Sequence, residues 1–191
     1  FSYAKLGQVI AGLKELGFHT VVEAALGADL VAMSEARELT EKGFLTSSCC
    51  PAFVSYIKSE FPDLAQHISH NLSPMVEISK YIKKTDPGAK AIFIGPCTAK
   101  KAEAQLEKAK PYVDAVLTFE ELQALFDSKA MDITTLEEDV LENASYYGRI
   151  FARSGGLSDA VVQALKEQGL EDFPLKAVAC NGIEECRLAL L

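Results

Sequence analysis

AIFIGPCTAKKAE, residues Ala91 to Glu103, reads as a buried strand, a Gly-Pro turn that carries a cysteine, and the start of a helix. The strand is expected over Ala91 to Ile94 and the helix over Thr98 to Lys108. A second strand, Ala115 to Thr118, and a second helix, Phe119 to Phe126, follow at once. Strand, helix, strand and helix in succession predict parallel strands with helical crossovers, an α/β class.

Working outward, the same alternation recurs. Leu6, Val9, Ile10, Leu13 and Leu16 lie at helical spacing within Tyr3 to Leu16, and Gly17 ends that helix. Thr20 to Leu26 reads as a strand, Asp29 to Lys42 as a helix, and Phe44 to Ser47 as a short strand. Pro51 opens a helix to about Glu60, because its missing N–H costs nothing in a first turn. A break at Phe61-Pro62 precedes helical turns to His67, and Ser73-Pro74 opens a helix to Lys84. Asp86-Pro87-Gly88 is a turn. Gly155-Gly156 opens a helix through Gln168. Leu175 to Ala179 is expected as a strand and Gly182 to Leu190 as a final helix.

Composition narrows the function classes. About half of the 191 residues are apolar (49%), which suits a packed core rather than a disordered chain. A net charge of −8 argues against nonspecific nucleic-acid binding. No apolar run approaches the roughly 20 residues of a membrane span, and the first residues are no secretory signal. The five cysteines, Cys49, Cys50, Cys97, Cys180 and Cys186, are odd in number and two are adjacent. That is a poor disulfide framework and fits thiols kept reduced in the cytoplasm. Cys49, Cys50, Cys97 and Cys180 all fall just past an expected strand, where ligands gather in such folds.

Ser47-Ser48-Cys49-Cys50-Pro51 places two thiols at a strand-to-helix turn, where backbone N–H groups and the helix dipole favour thiolate. Thiolates are the ligands iron needs, although a redox pair or a buried pair fits the same spacing. Gly95-Pro96-Cys97 repeats the arrangement, with Lys100 and Glu103 on the same helix face. That face also reads as a solvated lysine-rich helix. Glu35 and Glu38 share a helix face, either as a solvated acidic patch or as a partly buried pair that passes protons. His67 and His70 read as surface positions. Cys180 is a candidate further ligand at a strand end, and Cys186 reads as core.

The two cysteine segments resemble the signatures of one family, the iron-only hydrogenases. SSCCP (Ser47 to Pro51) is similar to the family's Thr-Ser-Cys-Cys-Pro, and GPCTAKKAE (Gly95 to Glu103) to its Met-Pro-Cys-x-x-Lys-x-x-Glu. Ala28 to Leu30 with Glu35 and Glu38, Asp114 to Thr118, and Phe151 to Gly156 have counterparts too, so the resemblance covers nearly the whole of residues 1–191. It implies an H-cluster domain of two lobes, each a mainly parallel sheet flanked by helices, with the cluster site between them and a lobe change near residues 85–88.

The resemblance also implies roles. The H-cluster is a four-iron cubane joined to a di-iron unit with CO and cyanide ligands. Cys50 and Cys97 match cubane ligands. Cys49 matches the thiol that delivers protons to the di-iron unit, and Glu35, Ser69 and Glu38 match the rest of that proton path, with Glu38 expected nearer Cys49. Lys100 matches the lysine that hydrogen-bonds a cyanide. Phe151 and Ser48 fall where the family contacts its cofactor. The implied activity is reversible reduction of protons to hydrogen, with ferredoxin-type electron partners and dedicated maturation proteins. Gly95 stands where the family carries Met, and Phe53 where it carries Trp, as in a divergent, sensory branch. A Cys-x3-Cys in a Gly-rich run, the family's third motif, has no counterpart before Leu191. The chain by itself is therefore expected to be inactive, with an incomplete cluster site. A hydrogenase-like iron–sulfur assembly protein is the reading from outside the enzyme class.

Overall fold

A computed structural model describes residues Phe1–Leu191. The elements in chain order are α1 (Leu6–Glu15), α2 (Ala24–Lys42), α3 (Pro51–Glu60), α4 (Pro74–Thr85), β1 (Ile92–Ile94), α5 (Ala99–Glu103), β2 (Ala115–Leu117), α6 (Phe119–Ser128), α7 (Tyr146–Ile150), α8 (Gly156–Glu167) and α9 (Ile183–Leu190). Short 3-10 helices occupy Pro62–His67 and Ile133–Thr135. The chain forms two compact units, each made of two stretches. Unit 1 holds Phe1–Glu23 and Ser79–Asn143, and unit 2 holds Ala24–Ile78 and Ala144–Leu191. The chain passes between them three times: at Glu23–Ala24, at Ile78–Ser79 inside α4, a little ahead of the turn at residues 86–88, and at Asn143–Ala144.

Unit 1 contains the parallel sheet. β1 and β2 pair in parallel, Ile92 with Ala115 through Ile94 with Leu117, and Gly95 N–H extends the ladder to the Leu117 carbonyl. α5 lies in the crossover between them, the α/β arrangement read from the sequence. Strand β1 is less covered than expected: Ile92 is exposed, while Phe93 and Ile94 are half-buried. Leu13, Leu122, Phe126 and Ile133 form the core beside it. A capping box fixes the start of α6: Thr118 Oγ1 accepts from Glu121 N–H, and Glu121 accepts from Thr118 N–H.

Unit 2 is built on α2. Ala28, Val31, Ala32, Ala36 and Leu39 recur at helical spacing and are buried against Ala160, Val161, Ala164 and Leu165 of α8. The alanines on both sides let the two helices approach closely. Two glycines permit equally close crossings. A Cβ on Gly27 would lie 2.2 Å from the Pro74 carbonyl oxygen, and one on Gly156 would lie 1.8 Å from that of Ile150. Asp29 ties α7 to α2 by accepting from the Ser145 N–H and hydroxyl.

Three expected strands are corrected. Thr20 to Leu26 forms none: α2 begins at Ala24, and Val21 instead packs on the unit 1 core. The N–H groups of Glu23 and Asn143 bond each other's side chains, so no ladder is needed there. Phe44 to Ser47 shrinks to one parallel bridge, Thr46 with Ile68. Leu175 to Ala179 is irregular and largely exposed, Val178 most of all, because no strand lies alongside it. Apolar residues were present at all three places, but the partner strands were not. Cys180 accordingly follows an irregular stretch rather than a strand.

Candidate iron–sulfur and proton-transfer site

The buried stripe of α2 contains one carboxylate. Glu35 falls between Val31 and Leu39 and is 1% exposed. Its Oε1 accepts a hydrogen bond from the Ser47 hydroxyl at 2.7 Å, and its Oε2 is buried with no hydrogen-bond partner. Burial pushes this carboxyl above the ordinary value, and the Glu38 charge adds to the rise; Ser47, the Ser48 N–H and Ser69 act against it.

Glu38, one turn on, has the opposite environment. Its carboxylate accepts from Ser69 Oγ (2.7 Å), Asn71 Nδ2 (2.8 Å), the His70 N–H (3.0 Å) and Lys42 Nζ. Burial alone would raise its pKa, but the bonds from Lys42, Ser69 and His70 hold it below the ordinary value. Ser69, itself buried, stands beside both carboxyls. The two glutamates, one with its pKa raised by burial and one with its pKa held down by hydrogen bonds, form a graded pair rather than a solvated acidic face.

The cysteine segment follows directly. Thr46 bridges to Ile68, which sets Ser47 beside α2 and Ser69 beside Glu38. Ser47 Oγ also accepts the Cys49 N–H at 3.3 Å, so one hydroxyl joins Glu35 to the backbone of Cys49. Ser48 is buried and donates to the Asn71 carbonyl at 2.6 Å. Cys49 packs partly against the α2–α8 core, as does buried Phe151. Cys50 is exposed at the N-terminus of α3, with Pro51 in the first turn. Cys180 and Cys186 are half-buried; burial, then Cys180 and Cys50 nearby, push the Cys186 thiol up. None of the five cysteines forms a disulfide.

The second segment lies in unit 1. Cys97 is half-buried just past β1, where its carbonyl accepts from the Lys100 N–H. Lys100 Nζ reaches Glu103 Oε2 at 2.7 Å, with the two side chains 13% and 3% exposed. The pair is thus buried rather than a solvated lysine-rich face. At Gly95, a Cβ would meet the Phe93 ring at 2.7 Å, so the ring takes the space a larger residue would need.

The donor chemistry suits iron: Cys50 and Cys97 are unpaired thiols at turns leading into helices. They number two, short of a four-thiolate set, and no group of three or more His, Cys, Asp or Glu gathers into a metal site within this chain.

Four residues around the carboxylates escaped the sequence reading. Lys42 carried a signal, lying four residues after Glu38 on the same helix. Ser47 stood inside the motif with no indication of its partner. Asn71 and the His70 N–H had none, because their acceptor lies more than 30 residues away in the chain. His70 itself is exposed, as expected.

No helix is long and apolar enough to cross a membrane. The chain is similar to several known proteins. Iron hydrogenase 1 of Clostridium pasteurianum is 30% identical over 96% of this chain and 37% of its own length. The cytosolic Fe-S cluster assembly factor NAR1 of Eremothecium gossypii is 31% identical over 69% of the chain and 31% of its own. An apo FeFe-hydrogenase from Chlamydomonas reinhardtii superposes with a TM-score of 0.70 at 27% identity, over 86% of this chain and 47% of that one. The chain thus spans about a third to a half of the length of these relatives. Residues 2–190 match the family model described as iron only hydrogenase large subunit, C-terminal domain, and the chain belongs to that family.

Proposed function

We propose that this chain is the part of a hydrogenase that supplies two iron–sulfur ligands and the proton path, in a protein that interconverts protons and hydrogen. The observation that carries the reading is the graded carboxylate pair leading to Cys49. Glu38 is held ionised, Ser69 stands between the two carboxyls, and Glu35 is buried beside the Ser47 hydroxyl that holds the Cys49 N–H. A protein with no proton chemistry has no use for an unpartnered, buried carboxyl oxygen, which costs about 1–3 kcal/mol.

FeFe-hydrogenase relatives carry the H-cluster. Cys50 and Cys97 would hold its cubane as thiolates, and Lys100, fixed by Glu103, would present an ammonium to its anionic ligands. Ser48 and Phe151 would border it. Bound there, the cluster supplies the redox chemistry. The chain's own residues accept protons at Glu38, hold one at Glu35 and deliver it through the Cys49 thiol. A ferredoxin-like partner would exchange electrons, and maturation proteins would install the cluster. Thiols kept free fit a reducing, cytoplasmic setting.

The test is anaerobic maturation of the full-length protein followed by a hydrogen assay with a viologen dye. Turnover is expected, and Glu35→Gln and Cys49→Ala should each lower it by about 10²-fold or more. A fully metallated protein without turnover would overturn the enzymatic reading. The similarity to NAR1 favours a second reading, an assembly factor with ordinary clusters. Absence of infrared CO and cyanide bands after maturation would select it. Gly95, with Phe93 filling the space beside it, favours a third, a hydrogen sensor in which those bands appear but turnover is slow.

A further inference from the structure

Ser47 Oγ has two fixed bonds. It donates to Glu35 Oε1 at 2.7 Å and accepts the Cys49 N–H at 3.3 Å. The second bond turns the hydroxyl proton away from the Cys49 backbone and toward the carboxyl. A carboxyl oxygen that already accepts a proton from a hydroxyl is the poorer place for its own proton. The acid proton of Glu35 therefore belongs on Oε2, which is buried and has no partner. The neighbouring Ser69 contributes less to Glu35 than Ser47 does. Its hydroxyl proton is committed to Glu38 at 2.7 Å, and it accepts from both the backbone and the side-chain nitrogens of Asn71.

We propose that Ser47 is a positioning residue that assigns the Glu35 proton to Oε2 and so orients this carboxyl for proton exchange. The inference rests on the proton-path reading of Glu35. It adds to that reading which oxygen of Glu35 carries the proton, and through which residue. Besides Ser47, the groups that face Glu35 are the Glu38 carboxylate, the Ser48 N–H and Ser69.

The experiment is infrared difference spectroscopy of the full-length protein during a pH titration, with glutamate carbonyls isotopically labelled and the Glu35 band assigned by its loss in Glu35→Gln. It is run before and after cluster installation. Ser47→Ala should move the Glu35 carbonyl band to higher frequency, as one hydrogen bond to C=O is lost, and should move its titration further up. Ser47→Thr, which keeps the hydroxyl, should restore both, and Ser47→Cys, a weak donor, should fall between. Hydrogen turnover should drop about fivefold to tenfold in Ser47→Ala, as for one lost hydrogen bond. An unmoved band in Ser47→Ala overturns the proposal, as does a Thr variant that behaves like Ala. If Ser47→Ala does not fold, an unmoved band in Ser47→Cys overturns it equally. Full turnover in Glu35→Gln sinks the proton-path reading, whereas a band insensitive to Ser47 beside an inactive Glu35→Gln sinks only the role of Ser47.

Discussion

Removing Glu103 should unfold the protein more readily by about 3 kcal/mol, and the number follows from its pairing with Lys100. The ammonium and carboxylate are 2.7 Å apart, with side chains 13% and 3% exposed. At an effective dielectric constant of about 20, their gross attraction is about 6 kcal/mol. Much of that only offsets the desolvation of both ions, so the net worth of the pair is small. Removing one partner is different, because the other charge stays buried; such losses run to about 3–5 kcal/mol. Lys100 keeps some solvent contact and has a further interaction, which puts Glu103→Ala at the lower end. Glu103→Gln should lose less, since its carbonyl still accepts from Lys100. The assay is urea unfolding followed by far-UV circular dichroism and by tyrosine fluorescence, the chain having six Tyr and no Trp. With a slope of about 2–3 kcal/mol per M, the midpoint should fall by about 1–1.5 M in Glu103→Ala. A fall below about 0.2 M would refute the buried pairing. A Gln variant as unstable as Ala would show that charge, rather than the hydrogen bond, is the whole effect.

Other predictions concern the carboxylates and the helix crossings. Glu38 has a folded pKa below its usual 4.5, so its contribution to stability is present above that pH and lost as pH falls below it. Wild type should therefore lead Glu38→Gln at pH 7 and converge with it under acid, as read by thermal melts across pH. Glu35 has the opposite sign. Its folded pKa is raised above 4.5, so the associated stability is present below 4.5 and lost as pH rises through the folded value. Glu35→Gln should melt higher than wild type at neutral pH and lose that advantage below pH 4.5; an advantage that grows under acid would contradict the assignment. Gly27→Ala sets a methyl 2.2 Å from the Pro74 carbonyl oxygen and 3.0 Å from Ile78 Cβ. It should cost about 2 kcal/mol, or about 4–8 °C in Tm by calorimetry.

Much of this architecture was legible in advance because it is local. Apolar spacing, Pro51 and Pro74 in first turns, and the Gly95-Pro96 stop located α3, α4, β1 and α6 to within two residues. What failed was non-local. Thr20 to Leu26 and Leu175 to Ala179 have strand-like composition, yet a strand exists only beside another, and none lies there. The short helix α7 was missed because it starts at a Ser145 cap after a polar stretch with no apolar periodicity. The candidate site divides in the same way. The cysteine segments and the spacing of Glu35 and Glu38 were visible. The environments that separate the two glutamates were not, since the Ser47 and Ser69 to Asn71 segments that face them meet α2 only in the fold. Resemblance to the family had put Glu38 nearer Cys49, whereas it is Glu35 that the Ser47 hydroxyl joins to the Cys49 backbone.

The interleaved chain path has a consequence for biosynthesis. Neither unit is a continuous stretch: unit 1 closes only once Asn143 has been made, and unit 2 waits for residues after Ala144 although its first half begins at Ala24. While the ribosome adds the intervening residues, the apolar stripe of α2 has no α8 to cover it. Such late, long-range closure is slow and leaves sticky surface in the open. A truncation ahead of α8 should therefore produce aggregation rather than a trimmed but soluble protein, and the Cys49 and Cys50 thiols would emerge well before the helix that completes their surroundings.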